Sequence, residues 1–141
     1  MLVLDANILI RAVLGRRVRE LLITYAPQCP FLVPDATLAE VREHLPAILE
    51  RRAIPADPAL AVLDGLCRLL EVIESDIYSP FEIPARARLA GRDEQDWPVL
   101  AVALCLKCPV WTEDTDFFGI GIPTWTTGHV EIFLSTLTKP M

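Results

Sequence analysis

The sequence predicts an α/β domain built around a mainly parallel sheet, and three observations predict it. Leu2-Val3-Leu4, Phe31-Leu32-Val33 and Val110-Trp111 are short, unbroken apolar runs, the pattern of strands covered on both faces. The segments between them carry apolar residues at helical spacing. The chain has 141 residues, the size of one ordinary domain that buries roughly 70% of its unfolded surface, so residues 1–141 are expected to form a single domain.

The elements follow in order. The strand at Leu2–Leu4 ends on Asp5, and Ile8, Leu9, Ala12 and Val13 then share a helical face up to Gly15. Val18, Leu21, Leu22 and Tyr25 mark a second helix that stops before Pro27. After the strand Phe31–Val33, Pro34-Asp35 opens a helix with Leu38, Val41 and Leu45, which Pro46 is expected to kink or restart because it has no N–H to donate. Pro55 and Pro58 bracket the start of a helix reading as far as Ile73, apolar around much of its circumference, with Glu71-Val72-Ile73 alternatively a short strand. Ile77 to Pro84 reads as loop and Ala85 to Ala90 as a short helix ended by Gly91. Val99 to Leu106 is almost wholly apolar, a helix covered on most sides. Pro109–Trp111 is a strand, Asp114–Gly121 a turn-rich loop, Pro123–Trp125 a last strand and Gly128–Leu134 a last helix.

Composition narrows the function classes. Apolar residues make up 52% and charged residues 23%, which excludes a disordered chain. No apolar run approaches the ~20 residues of a membrane span, so no membrane association is expected. No basic-then-apolar leader is visible, and four cysteines are too few and too unevenly placed for a disulfide scaffold, which points to a reducing cytoplasm. The net charge is −6, and all of the excess acid lies after residue 60. That argues against binding nucleic acid by bulk charge but not against carboxylates gathered to hold cations.

The acids occupy informative places. Asp5 ends the first strand, Asp114 and Asp116 follow the Val110-Trp111 strand, Asp93 and Asp96 precede the buried helix, and Glu40 lies early in the helix after the second strand. Ligands of open parallel sheets bind beyond the carboxyl ends of the strands, so Asp5 and Asp114 are expected to face one crevice, with Glu40 on its rim. Singly, each acid has an ordinary explanation: Asp96 as the N-cap of a helix with Pro98 in its first turn, Asp114 and Asp116 as turn formers, Glu40 as a solvated helix residue. Their joint placement around one rim is what points to chemistry. Clustered carboxylates suit a hard cation that takes oxygen ligands, and such an ion activates water against a phosphodiester.

Four motifs, Asp5-Ala6-Asn7-Ile8-Leu9, Ala39-Glu40-Val41, Asp93-Glu94-Gln95-Asp96 and Trp111-Thr112-Glu113-Asp114-Thr115-Asp116-Phe117, in this order and spacing, resemble the PIN domain over about residues 1–134. The resemblance implies a three-layer α/β/α fold with a central, mainly parallel twisted sheet. It also implies an endoribonuclease dependent on Mg²⁺ or Mn²⁺, acting as the toxin of a bacterial toxin–antitoxin pair (VapC-like). Carried over by position, the catalytic and metal-binding acids are Asp5, Glu40, Asp96 and Asp114, with Asp116 as a further metal ligand. Asp93, Asn7 and Thr112 are supporting residues; Asp93 and Asp96 are three apart, and Asp96 is favoured as the direct ligand because it adjoins the buried helix. The expected partners are RNA, a second copy of the chain in a homodimer and a small antitoxin protein.

Other signals are weaker. Arg11, about one turn beyond Asn7, and Arg42, beside Glu40, are placed to reach RNA at the rim, whereas Arg16-Arg17-Arg19 and Arg51-Arg52 read as solvated helix surface or phosphate contacts. Cys105-Leu106-Lys107-Cys108 ends a helix, whereas redox pairs open one, and reads as core cysteine. Phe117-Phe118-Gly119-Ile120-Gly121 either packs the sheet end or meets a substrate base. Two other classes stay open: a phosphoacceptor receiver domain, disfavoured because neither Lys107 nor Lys139 directly follows a strand, and a catalytically silent PIN-like scaffold for RNA or protein, disfavoured by the full set of acids.

Overall fold

The computed structural model describes residues 1–137. Five strands, β1 (Leu2–Leu4), β2 (Phe31–Pro34), β3 (Leu70–Ile73), β4 (Val110–Trp111) and β5 (Thr124–Trp125), form one sheet in the order β3-β2-β1-β4-β5. Every pairing is parallel. Eight helices accompany them among the described residues: α1 (Ala6–Leu14), α2 (Arg17–Tyr25), α3 (Asp35–Arg51), α4 (Ala56–Cys67), α5 (Ser75–Tyr78), α6 (Glu82–Arg88), α7 (Trp97–Leu106) and α8 (Val130–Thr136).

The period-two alternation of the strands divides the core. Leu2, Leu4, Phe31, Val33 and Trp111 pack with apolar residues of α1 to α4 and α8. Val3, Leu32 and Val110 point the other way, onto Tyr78, Ala85, Leu89 and the buried face of α7. Helices therefore cover both faces, which is why the central strands are apolar at every position. All of Val99–Ala103 is buried as well, so α7 has no polar face to offer until its last turn.

Three expectations are corrected. The helix expected to run on to Ile73 stops at Cys67, where the Arg68 and Leu69 N–H groups bond to Gly65 and Leu66 carbonyls. The short strand read at Glu71-Val72-Ile73 is present as Leu70–Ile73, an edge strand on β2. Ile77 to Pro84, expected to be loop, is instead the end of α5, a 3₁₀ turn at Ser79–Phe81 and the start of α6. Pro84 is the third residue of α6, where an N–H would have no partner within the helix. Pro46 does not restart α3, which runs through it as one element; Pro46 is exposed, so water can reach the Arg42 carbonyl that lacks a donor.

All four cysteines are free; Cys108 is buried in the core as expected, whereas Cys105 is half-buried and outside both core clusters. No helix among the described residues is long and apolar enough to cross a membrane.

The order of the strands positions the site. From β1 the chain moves through β2 to β3 on one side, then returns to add β4 and β5 on the other. Beyond the carboxyl end of β1 the connections leave in opposite directions, which opens a crevice there.

Candidate metal centre

Asp5 stands at that crevice because β1 ends on it. It is 5% exposed and caps α1, its Oδ1 accepting the Ala6 N–H at 2.7 Å. Its Oδ2 accepts from Thr112 Oγ1 at 2.7 Å and from Asn7 Nδ2 at 3.2 Å. Burial is the main influence on its carboxyl and pushes the pKa up; the bonds from Thr112 and Ala6 pull back, and the charges of Asp114 and Glu40 push up again.

Thr112, fully buried, follows β4. Its hydroxyl donates to Asp5 and accepts the Asp114 N–H at 2.9 Å, which fixes the loop after β4 against the end of β1. Asp114 then caps a 3₁₀ turn at Thr115–Phe117, with Oδ1 accepting the Asp116 N–H at 2.9 Å. The turn-former explanation of Asp114 therefore holds alongside its place in the site. Asp116 Oδ2 accepts the Asp93 N–H at 3.1 Å, tying this loop to the one before α7.

Asp93 and Asp96 separate here. The Asp93 carboxylate caps the 3₁₀ turn Glu94–Asp96 by accepting the Gln95 N–H. Asp96 occupies the N-cap position of α7 but makes no capping bond. Its carboxylate joins those of Asp114 and Asp116, one oxygen from each lying within 4.8 Å of the others. Asp96 Oδ2 is buried with no hydrogen-bond partner among the described residues. Burial, then the charges of Asp5, Asp114 and Asp93, and contact with the Asp114 carboxylate push the Asp96 pKa up to about 8. Two carboxylates can bond to each other only when one keeps a proton.

Asp5, Glu40 and Asp96 share a cleft of about 250 Å³, and Glu40 is solvent-exposed on its α3 wall. His44 and Glu43 line it as well. His44 escaped the sequence reading, although it lies four residues after Glu40 and so on the same helical face. Arg42 does not reach the rim. Two residues from Glu40, it projects from another side of α3 and pairs with Asp64 of α4 at 3.2 Å. Arg11 is exposed and lines a groove next to Asn7.

Two further arginines shape the site without a signal in the motifs. Arg92 donates from Nη1 to the carbonyls of Asp116 (2.7 Å) and Phe118 (2.6 Å), and Arg88 donates to that of Ile120. They clamp the loop carrying Asp116. Gly121 completes it at φ +85, where a Cβ would also sit 2.8 Å from Arg88 Nη1. Phe117 and Ile120 are buried in the core while Phe118 is exposed, so most of this aromatic run packs the end of the sheet.

The residues present fit a divalent cation. The donors are all hard oxygens, one carboxyl oxygen is buried without a hydrogen-bond donor, and the mutual repulsion of the acids is what a bound cation would relieve. Asp96, Asp114 and Asp116 would hold such an ion, with Asp5 beside them.

Comparisons with known proteins agree with this geometry. The chain is similar in structure to PAE2754 from Pyrobaculum aerophilum, with a TM-score of 0.64 over 96% of this chain and 89% of that one, at 16% identity, which bears on the fold. No curated protein matches. The family model for the PIN domain matches residues 3–135. With that match over almost its whole length, and with the clustered carboxylates that suggest a nuclease, the chain belongs to the PIN domain family.

Proposed function

We propose that the chain is an endoribonuclease dependent on Mg²⁺ or Mn²⁺, and that it is the toxin of a toxin–antitoxin pair, working in the cytoplasm as a homodimer restrained by a small antitoxin protein. The observation that carries the nuclease reading is the buried, unpartnered oxygen of Asp96 among the carboxylates of Asp114 and Asp116. A metal ion bound there supplies an acidic water and neutralises charge on the phosphate.

The chain's own residues do the rest. Asp96, Asp114 and Asp116 provide the ligand oxygens. Thr112 and Asn7 hold the Asp5 carboxylate in one orientation. Glu40, on the open wall of the cleft, is the carboxylate placed to take a proton from an attacking water at its Oε atoms. In-line attack at phosphorus breaks the bond to the 3′ oxygen and leaves a 5′-phosphate and a 3′-hydroxyl.

The test is cleavage of labelled single-stranded RNA by the purified chain with Mn²⁺, with Mg²⁺ and in excess EDTA. Cleavage is expected only with metal, and Asp5→Asn and Asp96→Asn should abolish it while retaining the native circular dichroism spectrum. Full activity in EDTA, or in either folded variant, would overturn the reading.

A further inference from the structure

Next to the carboxylates, a groove of about 560 Å³ runs over α1 and the start of α2. Its apolar lining comes from Ile10, Leu14 and Val18, and Arg11, Arg16, Arg17 and Arg52 line it too. Asn7 belongs to both places: it lines the groove and bonds to Asp5. Asn7 thus stands between the groove and the carboxylate site.

In a chain of net charge −6, this gathering of cations stands out because most other arginines are committed. Arg19 donates to the carbonyls of Ala12 and Val13, Arg42 pairs with Asp64, Arg86 pairs with Glu82, and Arg88 and Arg92 clamp the Asp116 loop. Within the groove, Arg17 pairs with Glu131 and Arg16 makes a long, exposed contact with Glu20. Arg11 and Arg52 have no ion pair among the described residues. The first turn of α2, which no side chain caps, lines the same groove.

We propose that this groove binds the strand of RNA flanking the scissile phosphate, with Arg11 and Arg52 contacting backbone phosphates and the apolar lining receiving unstacked bases. The inference rests on the nuclease reading and adds to it a track for single-stranded substrate. Charge complementarity favours this occupant: free guanidinium groups around an apolar strip match alternating phosphates and bases, and a base offers its flat face only once it has left a duplex. A groove of this composition adjoining the metal centre also places the cut within a strand rather than at a mononucleotide.

The test measures binding and chemistry separately. Anisotropy of a fluorescein-labelled oligouridylate in EDTA reads binding without cleavage, for the full chain, R11Q/R52Q, R11E/R52E and the off-groove control R51E/R68E. Each phosphate contact on a single strand contributes about 0.7 to the slope of log K against log salt. R11Q/R52Q should therefore flatten the slope by about 1.4, and R11E/R52E should weaken binding at least about tenfold at low salt, while the control stays within about threefold of the parent chain. Mn²⁺ binding and hydrolysis of the small diester bis(p-nitrophenyl) phosphate should be unchanged in both groove variants, which also shows that they are folded.

Unchanged oligonucleotide affinity and slope in R11E/R52E would overturn the groove and leave the nuclease reading intact. Equal affinity for duplex and single strand would overturn it too, as would capture of an acidic amphipathic peptide in place of RNA. Failure of the parent chain to bind Mn²⁺ or to hydrolyse the small diester would instead strike the nuclease reading.

Discussion

Burial and the neighbouring acids push the Asp96 pKa up to about 8 in the metal-free chain, so binding a divalent ion through its carboxylate at neutral pH should expel a proton. The expected size follows from linkage. For one displaced proton, the apparent dissociation constant is the intrinsic one multiplied by 1 + 10^(pKa − pH). The penalty is about 100-fold at pH 6, about 11-fold at pH 7 and about twofold at pH 8, so affinity should improve about 50-fold between pH 6 and pH 8. Titration calorimetry with Mn²⁺ in two buffers of different ionisation enthalpy reads the proton directly: about 0.9 released per ion at pH 7, falling to about 0.5 at pH 8. Asp96→Asn removes the titrating group together with a ligand oxygen, so binding should weaken and lose most of its pH dependence. Affinity that is flat from pH 6 to pH 8 in the parent chain, with no proton released, would refute the argument that the acids share a proton until a cation replaces it.

The same proton makes metal-free stability depend on pH. Asp96 has a raised pKa when folded, so between its unfolded value of 3.8 and about 8 the native state holds more protons than the unfolded one. Stability should therefore fall as pH rises through that window, with Asp5 contributing in the same direction. Melting temperatures without metal should be higher at pH 5 than at pH 8, and saturating Mn²⁺ at 100 times its Kd should restore about 2.7 kcal/mol. Thr112→Val keeps the shape but strips the hydroxyl that serves both Asp5 and the Asp114 N–H; a loss of about 3 kcal/mol is expected in urea unfolding, together with weaker metal binding. Arg92→Ala should cost only about 1 kcal/mol, because the side chain is exposed, yet raise the Mn²⁺ Kd severalfold by releasing the Asp116 loop. Asp93→Asn should leave metal affinity within about twofold of the parent chain, since asparagine remains a good cap. A loss as large as that in Asp96→Asn would reverse the assignment of Asp96 over Asp93.

What could be read from the sequence was governed by local signals with one physical cause. Leu2–Leu4 and Phe31–Val33 were legible as strands because burial on both faces leaves no room for polar residues. Asp5 was legible because a carboxylate directly after such a strand lies at the sheet's carboxyl edge. The segment Ile77 to Pro84 was not: it read as loop, yet Pro84 falls in the first turn of α6, where proline costs little. The strand at Glu71–Ile73 was legible, but Leu70 kept helical spacing from Leu63 and Leu66 and so was read as helix, and the partner of that strand, β2, is one that no local pattern reveals. Arg42 shows a similar limit. Sequence adjacency to Glu40 suggested the rim, but a two-residue step carries a side chain well around the helix, onto Asp64. Between Asp93 and Asp96 the motif does not decide; the structure favours Asp96, whose oxygen lies with those of Asp114 and Asp116, while the Asp93 carboxylate caps the Gln95 N–H.

The place of β1 in the middle of the sheet decides when, during synthesis of the chain, its carboxylate site can form. Asp5 is made well before its neighbours in the pocket, Asp96, Asp114 and Asp116, and β4 must slot beside β1 before Thr112 can link them. A ribosome carrying an unfinished copy thus displays a lone aspartate and no cutting edge. On the proposed reading, the product cannot turn on the messenger or the machinery that made it until β4 and the loop after it have been made and have packed against β1.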